Sequence, residues 1–359
     1  MKTNHKIVNF GMCFSRDFEG TTPLSHIGRK LPVYLRLLEL CQAEGWEVYV
    51  LTRKTYEGRG YFNGAWLFIN GKFEKVDAVV KIDLVFDWVG NLLFPPKQDE
   101  APQPNGRGIF SQASSGVESL RSETSSLTHR GFKPGVFAKG DKGLKVVNSR
   151  EFKELTCNKW ETYLILRDYM PKTYWVGELK NAFNLVNQIS TENIVLKPYD
   201  GLRGKGIFIG LKKDLKDFKP EKTDRKYISQ EFVDTSKGIP NLTPGRHDLR
   251  IVVINGEVVW CHVRVPAQGS YLANAAHGGN LTEVDYSQVP ESVKKVVKVI
   301  SRRFYKDYDN PIFSLDFGIG LDGTPLIFEI NDQIGFPRWE MKNRDNFLTA
   351  LIRNFHEKI

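Results

Sequence analysis

The sequence predicts a protein of mixed α/β and α+β structure, with a parallel-sheet domain at its N-terminal end. Two observations lead to this prediction. Apolar runs at 7–10 and 47–51 flank an amphipathic stretch at 31–44 that stops at Gly45, and a strand–helix–strand order favours a parallel sheet. Asn-Gly pairs at 70–71 and 255–256 each separate two strand-like runs, which is the pattern of antiparallel hairpins.

The composition indicates an ordinary globular protein. The chain has 359 residues, of which 41% are hydrophobic and 26% charged, with room for two or three domains. No apolar run reaches the roughly 20 residues of a membrane span, and the first residues lack the pattern of a secretory signal. The four cysteines show no CxxC spacing, which is typical of reduced thiols and argues against a disulfide framework or a zinc site. We therefore expect a cytoplasmic protein with no membrane partner.

The net charge of +9 is compatible with a polyanionic partner, either nucleic acid or a nucleotide. Basic residues are mostly interspersed with acidic ones, as in residues 211–217, and no basic stripe carries interleaved aromatic residues. A lysine-rich solvated surface is the preferred interpretation, and nucleic acid is not expected.

The first 95 residues are predicted to form a small open α/β domain. After the strand–helix–strand unit, a hairpin joins 66–69 to 72–76, and residues 77–86 are predicted as one further buried strand. Residues 96–143 are rich in Pro, Gly, Ser, Gln and Asn. A segment of this length and composition is typical of a flexible surface segment or of an active-site lid, and the flexible segment is the preferred interpretation.

Regular structure is predicted to resume at residue 144. Up to residue 235, we expect helices at 149–155, 158–169 and 178–189 and strands at 173–176, 193–197 and 227–232. From residue 236 onward, we expect strands at 248–254 and 258–265, helices at 291–308 and 345–358, and a hairpin of 312–317 with 326–332.

The last hairpin carries a candidate metal site. Apolar residues alternate with Glu329 and Asn331, so on a strand these two side chains share one face about 7 Å apart. Asp316 lies among apolar residues of the preceding strand, where a hairpin would bring it beside Glu329. Carboxylate and amide oxygens are ligands that Mg²⁺ accepts. For this hairpin alone, polar residues facing water are the open alternative.

A glycine-rich stretch at 194–208 is a candidate phosphate site. A buried strand delivers Lys197, and the loop after it contains three glycines and two basic residues: Gly201, Arg203, Gly204, Lys205 and Gly206. Glycine allows backbone amides to approach an anion closely. No Gly-Lys-Ser/Thr leads into a helix, and the next element is a strand, so neither a Walker loop nor a Rossmann motif is present. The pattern predicts a flexible hairpin over phosphates, with an ordinary glycine-rich turn as the alternative.

Three further stretches have weaker signals. Residues 230–234 end a strand at a hinge and can form a wall for a flat base. Asp248 and Arg250 share a strand face, with Arg264 on the returning strand, which suits either bidentate recognition of carboxylate or phosphate, or a cross-strand salt bridge. Asn274 precedes paired glycines in a loop suited to close approach by a ligand.

Taken in order, these motifs resemble the ATP-grasp superfamily, and within it the glutathione synthetase-like and RimK-like carboxylate–amine ligases. The resemblance covers about residues 145–335. The matching motifs are Lys159 in CNKW, Lys197 in VLKPYDGLRGKGIF, Gln230-Glu231-Phe232, Asp248-Leu249-Arg250, Arg264, Asn274 with Gly278-Gly279, Asp316 in SLDFG, and Glu329-Ile330-Asn331.

The resemblance implies an ATP-grasp fold, in which two α+β lobes clasp ATP after a small α/β domain. The implied division is an N-terminal domain at 1–95, a flexible segment at 96–143, a central lobe at 144–235 and a C-terminal catalytic lobe at 236–359. Lys159, Lys197 and the loop at 200–206 would hold the ATP phosphates. The adenine pocket would be lined by Gln230, Glu231, Phe232 and Val233, with Asp234 at the ribose.

The resemblance also implies the chemistry. Asp316, Glu329 and Asn331 would hold two Mg²⁺ ions, which Mn²⁺ can replace, and the catalytic set would be Arg250, Arg264 and Asn274. A carboxylate and ATP would form an acyl phosphate, which an amine attacks to give an amide, ADP and phosphate. This chemistry needs positioning and charge neutralisation more than a protein nucleophile.

Two alternatives stay open: a kinase of the same fold that phosphorylates a hydroxyl, and a non-catalytic ATP-binding regulatory protein. The carboxylate and amine partners are expected among amino acids, peptides and metabolites, and the resemblance is compatible with a homo-oligomer. The chain departs from the family pattern at two places. Asp332-Gln333 replaces the frequent Pro-Gly pair, and Asn158 stands where Asp often precedes the helical lysine.

Overall fold

Three β-sheets with flanking helices make up the part of the chain that the structure, a computed structural model, describes. These residues are 7–14, 18, 22–87, 144–201, 204–220, 225–271, 273 and 279–359. The predicted flexible segment at 96–143 lies outside them. No helix in these ranges is both long enough and apolar enough to cross a lipid bilayer.

The first sheet confirms the predicted strand–helix–strand unit. Its strands are β1 Asn9–Phe14, β2 Glu47–Thr52, β3 Tyr56–Gly58, β4 Tyr61–Ile69, β5 Lys72–Lys81, β6 Leu84–Asp87 and β7 Lys145–Val147. Helix α1, Leu31–Ala43, connects β1 to β2, which pair in parallel. β6 and β7 continue the parallel part, whereas β3, β4 and β5 extend the sheet with antiparallel pairing.

The prediction of a single strand at 77–86 is wrong. The chain there forms the end of β5 and then β6, which lie far apart in the sheet order β3-β4-β2-β1-β6-β7, with β5 on β4. Between them the Ile82 amide donates to the Gly60 carbonyl and the Asp83 amide to the Asn9 carbonyl, so the backbone crosses from the edge to the centre. A period-two pattern does not reveal such a crossing. β7 also joins this sheet, although it lies beyond residue 95.

The second sheet has the order β10-β9-β11-β8 and is antiparallel throughout. Its strands are β8 Thr173–Glu178, β9 Asn193–Pro198, β10 Phe208–Leu211 and β11 Lys226–Glu231. Two helices precede it, α2 Arg150–Cys157 and α3 Lys159–Leu166. The Ser149 hydroxyl caps α2, as the predicted helix start requires.

The prediction of one helix at 178–189 is also wrong. Only one α-helical turn forms, α4 Ala182–Leu185, between 3₁₀ turns at Leu179–Asn181 and Val186–Gln188. The Asn181 side chain donates to the Val176 carbonyl at 3.2 Å. Asparagine competes for backbone hydrogen bonds in this way and shortens helices.

The third sheet is antiparallel, in the order β14-β13-β12-β15-β16. Its strands are β12 Asp248–Ile254, β13 Glu257–Val265, β14 Asn280–Val284, β15 Phe313–Ile319 and β16 Pro325–Asn331. Two helices flank it, α5 Glu291–Asp307 and α6 Arg344–Lys358.

The alternation of β12 shows how the third sheet positions a site. Leu249, Ile251 and Val253 belong to the core that contains α5. Val252 and Ile254, on the other face, belong to the core shared by α6 and the first sheet. The rest of that second face carries charged side chains and is open to a cavity.

Candidate active site

Most of the residues predicted for ATP, metal and carboxylate binding meet in one cavity of about 590 Å³, between the second and third sheets. Its lining includes Lys159, Lys197, Gly201, Gly204, Lys205, Gln230, Glu231, Phe232, Val233, Arg250, Arg264, Asp316, Glu329 and Asn331. Gly206 and Asp234 are described but are not among the lining residues. Arg203 and Asn274 lie outside the described residues.

Two lysines reach across the cavity from the second sheet and the helix before it. Lys159, at the start of α3, pairs with Glu329 at 2.9 Å. Lys197, on β9, donates to the Phe328 carbonyl at 3.1 Å. Burial lowers the pKa of Lys197 to about 8, although Glu329 opposes the shift. The two ammonium groups therefore face the strand that carries the predicted metal ligands.

Asn158 is the N-cap of helix α3, a role that the aspartate frequent at this position in the family can also fill. Its Oδ1 accepts from the amides of Trp160 and Glu161, each at 3.1 Å, and so caps α3. An amide oxygen and a carboxylate oxygen serve equally as N-cap acceptors, so this departure from the family pattern keeps the helix cap beside Lys159.

The glycines of the predicted phosphate loop are required by its backbone. Gly204 and Gly206 have φ values of 74° and 72°, in the left-handed region that side chains disfavour. At Gly201, an added Cβ would lie 3.1 Å from the Pro198 Cβ. At these three positions the backbone therefore favours glycine over any residue with a side chain.

The wall predicted for a flat base is lined by β11 and the hinge after it. Gln230 is buried and donates from Nε2 to the Thr173 hydroxyl at 2.8 Å. Phe232 meets Tyr271 edge to face at 5.3 Å between ring centroids, and the Arg246 guanidinium lies over the Tyr271 ring at 4.6 Å. Sequence reasoning gave no role to Arg246 or Tyr271, because their contact forms only when two loops meet.

On the opposite side, two arginines neutralise two carboxylates. Arg250 donates from Nε and Nη2 to the two oxygens of Asp316, each at 2.6 Å. Arg264 pairs with Asp316 at 2.9 Å and also with Asp248. Burial opposes ionisation of Asp316, but the two arginines overcome it and hold its pKa well below the usual range. Burial raises the pKa of Asp248 to about 7 despite Arg264.

The predicted metal ligands are neighbours in the hairpin. Asp316 lies directly opposite Glu329 and Ser314 opposite Asn331, and the Asn331 Nδ2 donates to Asp316 at 3.2 Å. Burial opposes ionisation of Glu329, but Lys159 and Lys197 outweigh it and lower its pKa. Within the described ranges no three His, Cys, Asp or Glu side chains gather, so the third donor here is an amide. Two ionised carboxylates and one amide oxygen fit a hard cation such as Mg²⁺.

The turn after Asn331 is held by a residue that the sequence did not point to. Lys153 on α2 is buried, lies 3.4 Å from Asp332 and 3.4 Å from Asp87, and donates to the Asp87 carbonyl at 3.2 Å. Burial opposes its charge, but Asp87 and Asp332 prevail and raise its pKa. Asp332 and Gln333 both line the cavity. The turn that departs from the family pattern is therefore tied to the first sheet.

Comparisons with known proteins agree with this arrangement. Residues 161–307 match the family model of the ATP-grasp domain of prokaryotic glutathione synthetase. A glutathione synthetase from Prochlorococcus marinus is 30% identical over 166 residues, which cover 45% of this chain and 50% of the relative. A probable alpha-L-glutamate ligase from Psychromonas ingrahamii is 22% identical over 208 residues, which cover 53% and 58%.

Among solved structures, D-alanyl-alanine synthetase A from Vibrio cholerae aligns with a TM-score of 0.55 and 10% identity, over 98% of this chain and 99% of the other. This likeness shows the fold. The chain spans about half the length of the glutathione synthetases it matches. The chain therefore has the ATP-grasp fold, and residues 161–307 are similar to the ATP-grasp domain of prokaryotic glutathione synthetase.

Proposed function

We propose that this protein is an ATP-dependent ligase that joins a carboxylate to an amine through an acyl phosphate. One observation carries the proposal. A single cavity brings two buried lysines and a glycine loop opposite a strand pair that holds oxygen ligands and two arginines. Phosphoryl transfer depends on such positioning and charge stabilisation. The relatives named glutathione synthetase and alpha-L-glutamate ligase support the same reaction class.

The binding roles that we propose are those that the resemblance implies. Lys159, Lys197 and the loop amides at Gly204 and Gly206 hold the phosphates, and the wall at Gln230–Val233 receives the adenine, with Asp234 near the ribose. Asp316, Glu329 and Asn331 would hold magnesium, which neutralises phosphate charge when bound. We propose two such ions, which Mn²⁺ can replace.

The reaction proceeds in two steps. A carboxylate oxygen attacks the γ-phosphorus of ATP, the bond from that phosphorus to the bridging oxygen breaks, and ADP leaves. The amine nitrogen then attacks the acyl carbon, phosphate leaves, and the amine loses a proton. Arg250 and Arg264 stabilise the oxygens on which negative charge develops. The proposed catalytic Asn274 lies outside the described residues.

The reaction can be tested by mass spectrometry of products formed from ATP, Mg²⁺, and pooled amino acids and peptides. A ligase gives a product equal to the two substrates less one water, and its ADP release requires the amine. A product carrying an added phosphate without any amine would instead establish a kinase. Tight ATP binding with no ADP released against any carboxylate and amine would indicate a regulatory protein.

Further features of the proposal concern the whole chain. We propose that residues 1–95 form the N-terminal domain, 96–143 a flexible segment, 144–235 the central lobe and 236–359 the catalytic lobe. A cytoplasmic location is supported by the need for ATP and by the buried thiols of Cys13, Cys41 and Cys261. A homo-oligomer is part of the proposal, with size-exclusion chromatography and light scattering as its test.

A further inference from the structure

Strand β16, which carries two of the proposed metal ligands, lies at the edge of the third sheet. In the described part of the chain, β15 is its one partner strand. The pairing ends where Ser314 lies opposite Asn331, and the chain then leaves the sheet at Asp332. The end of an edge strand opens more readily than the middle of a sheet, so the place of Asn331 depends on what holds the turn after it.

Lys153 holds this turn from outside the sheet. Its ammonium lies 3.4 Å from a carboxylate oxygen of Asp332 and 3.4 Å from one of Asp87, and it donates to the Asp87 carbonyl at 3.2 Å. The side chains of Lys153, Asp87 and Asp332 are 1%, 0% and 8% exposed. Charges that water does not screen attract each other more strongly than exposed charges do, so the ammonium restrains Asp332.

Helix α2, which carries Lys153, is itself fixed to the third sheet. Phe152 is buried in the core of that sheet, where its ring lies 6.0 Å from the ring of Phe313 on β15. Before the helix, the Asn148 side chain accepts from the Ile312 amide at 2.6 Å and donates to the Ile312 carbonyl at 2.7 Å. The ammonium therefore extends from a helix that is anchored beside β15, the partner strand of β16.

Asp332 also belongs to the lining of the cavity, together with its sequence neighbours Asn331 and Gln333. Asn331 donates from Nδ2 to Asp316 at 3.2 Å, so a shift of the turn would also move the oxygen donors of the proposed metal site. A group that orients a metal ligand contributes to metal affinity although it does not touch the ion.

We propose that Lys153 is a positioning residue of the active site, which holds Asp332 and thereby keeps Asn331 in place for magnesium. The inference rests on the metal site of the proposed ligase. Lys153 does not itself line the cavity, so it acts through Asp332 and takes no part in the bond changes.

Metal binding can be measured without turnover. Water proton relaxation by Mn²⁺, titrated with the full chain and saturating ADP, gives the Kd of the metal for the protein–ADP complex. Lys153→Met should raise this Kd about tenfold, as expected when a group that orients a metal ligand is removed. The Kd for ADP, measured with EDTA in place of the metal, should stay unchanged and reports whether the variant is folded.

A second variant separates positioning from stability. Lys153→Met removes the ammonium from between two buried carboxylates, so it also destabilises the fold. Adding Asp87→Asn removes the more deeply buried of these two negative charges and should recover stability. Asp332 still lacks the ammonium in this double variant, so the Kd for Mn²⁺ should stay about tenfold above the wild-type value.

Lys358→Met is the matched control. Lys358 is also buried, donates to the Asp309 carbonyl at 2.7 Å and does not line the cavity. Its substitution should lower stability and leave the Kd for Mn²⁺ unchanged. An equal loss of Mn²⁺ affinity in Lys358→Met would overturn the inference. A wild-type Kd in the double variant of Lys153 and Asp87 would also overturn it, because the lysine would then act on stability alone.

Glu329→Gln distinguishes failure of the metal site from failure of the inference. A raised Kd for Mn²⁺ in Glu329→Gln, with a wild-type Kd in both Lys153 variants, would keep the metal site and remove the positioning role. No Mn²⁺ binding by the wild-type protein, or an unchanged Kd in Glu329→Gln, would remove both. A raised Kd in Glu329→Gln and in both Lys153 variants, in a protein that forms no amide, would retain the positioning role and reject the ligase.

Discussion

At the residue scale, Glu329 lies between two charged groups of the candidate site. It is the carboxylate that pairs with Lys159 and also lies opposite Asp316, so it lies between the proposed phosphate and metal sites. The charges of Lys159 and Lys197 lower its pKa and keep it ionised. A carboxylate in this position is expected to hold magnesium and to position the Lys159 ammonium for the phosphates.

Glu329→Gln should therefore lower kcat about 100-fold or more, because it removes a negative charge that would hold Mg²⁺ and that positions the Lys159 ammonium. The Mg²⁺ concentration for half-maximal activity should rise as well. Steady-state ADP release over a Mg²⁺ series measures both. Glu340→Gln is the matched control, since Glu340 is 70% exposed; an activity loss as large as that of Glu329→Gln would contradict the assignment.

Lys197 predicts a pH dependence of nucleotide binding. Burial lowers its pKa to about 8 from an ordinary value of 10.5, so in the free protein the ammonium is present below pH 8 and lost above it. Since the ammonium is the form that attracts phosphate, the Kd for ADP should rise about tenfold per pH unit above pH 8.

Calorimetric titration of ADP between pH 7 and pH 9.5 tests the slope. Lys197→Arg should flatten it over this range, because guanidinium stays protonated. The slope is the readout, whatever the absolute affinity of the variant. A Kd for ADP that stays constant between pH 7 and pH 9.5 in the wild-type protein would contradict a role of the Lys197 ammonium in phosphate binding.

At the element scale, α2 connects the first sheet to the end of β16 through Lys153. The ammonium lies between two carboxylates of separate elements, and all three side chains are buried. Removing one partner of a buried ion pair is strongly destabilising because it leaves uncompensated charge.

Lys153→Met is accordingly expected to lower the free energy of unfolding by about 3–5 kcal/mol. Chemical denaturation followed by fluorescence measures this change. Adding Asp87→Asn and Asp332→Asn to the same chain should restore part of the lost stability, since the stranded charges are removed. A loss below about 1 kcal/mol in the single variant would show that the cluster does not stabilise the fold.

The glycine loop between β9 and β10 gives a second prediction at this scale. Gly206→Ala should reduce kcat/KM for ATP, because a residue with φ of 72° resists a side chain and the added Cβ would lie 3.2 Å from the Pro198 Cγ. Strain of this kind costs about 1–3 kcal/mol.

Gly256→Ala is the matched control. Gly256 has a φ of 76° with nothing within 4 Å of an added Cβ, and it lies in the β12–β13 hairpin, away from the loop. It should reduce stability through the same backbone strain and leave kcat/KM for ATP unchanged. If both substitutions reduce kcat/KM for ATP equally, the glycine loop has no specific role in ATP binding.

At the scale of the whole molecule, the first sheet and the third sheet share one hydrophobic core, whereas the second sheet has its own. Phe355 of α6 contacts Phe10 of β1 at 5.0 Å and Phe86 of β6 at 5.3 Å between ring centroids. The cavity thus has one wall on the body formed by the first and third sheets and the other wall on the second sheet, which carries Lys197.

Local sequence patterns predicted the parts of the site that lie on regular elements. Glu329, Asn331 and Asp316 followed from strand alternation and a hairpin, and the register confirms that Asp316 faces Glu329. Lys153 could not be found this way, because its partners are 66 and 179 residues away. The same holds for Arg246 on Tyr271, since tertiary packing alone makes them neighbours.

The proposed reaction activates a carboxylate by phosphoryl transfer. The most direct measurement supplies ATP, amine and a carboxylate labelled with ¹⁸O in both oxygens, and follows the label by mass spectrometry. Attack by the carboxylate on the γ-phosphorus predicts one labelled oxygen in each phosphate released, with the other kept in the amide. Unlabelled phosphate, or a phosphate retained on a hydroxyl of the product, would contradict activation of the carboxylate as an acyl phosphate.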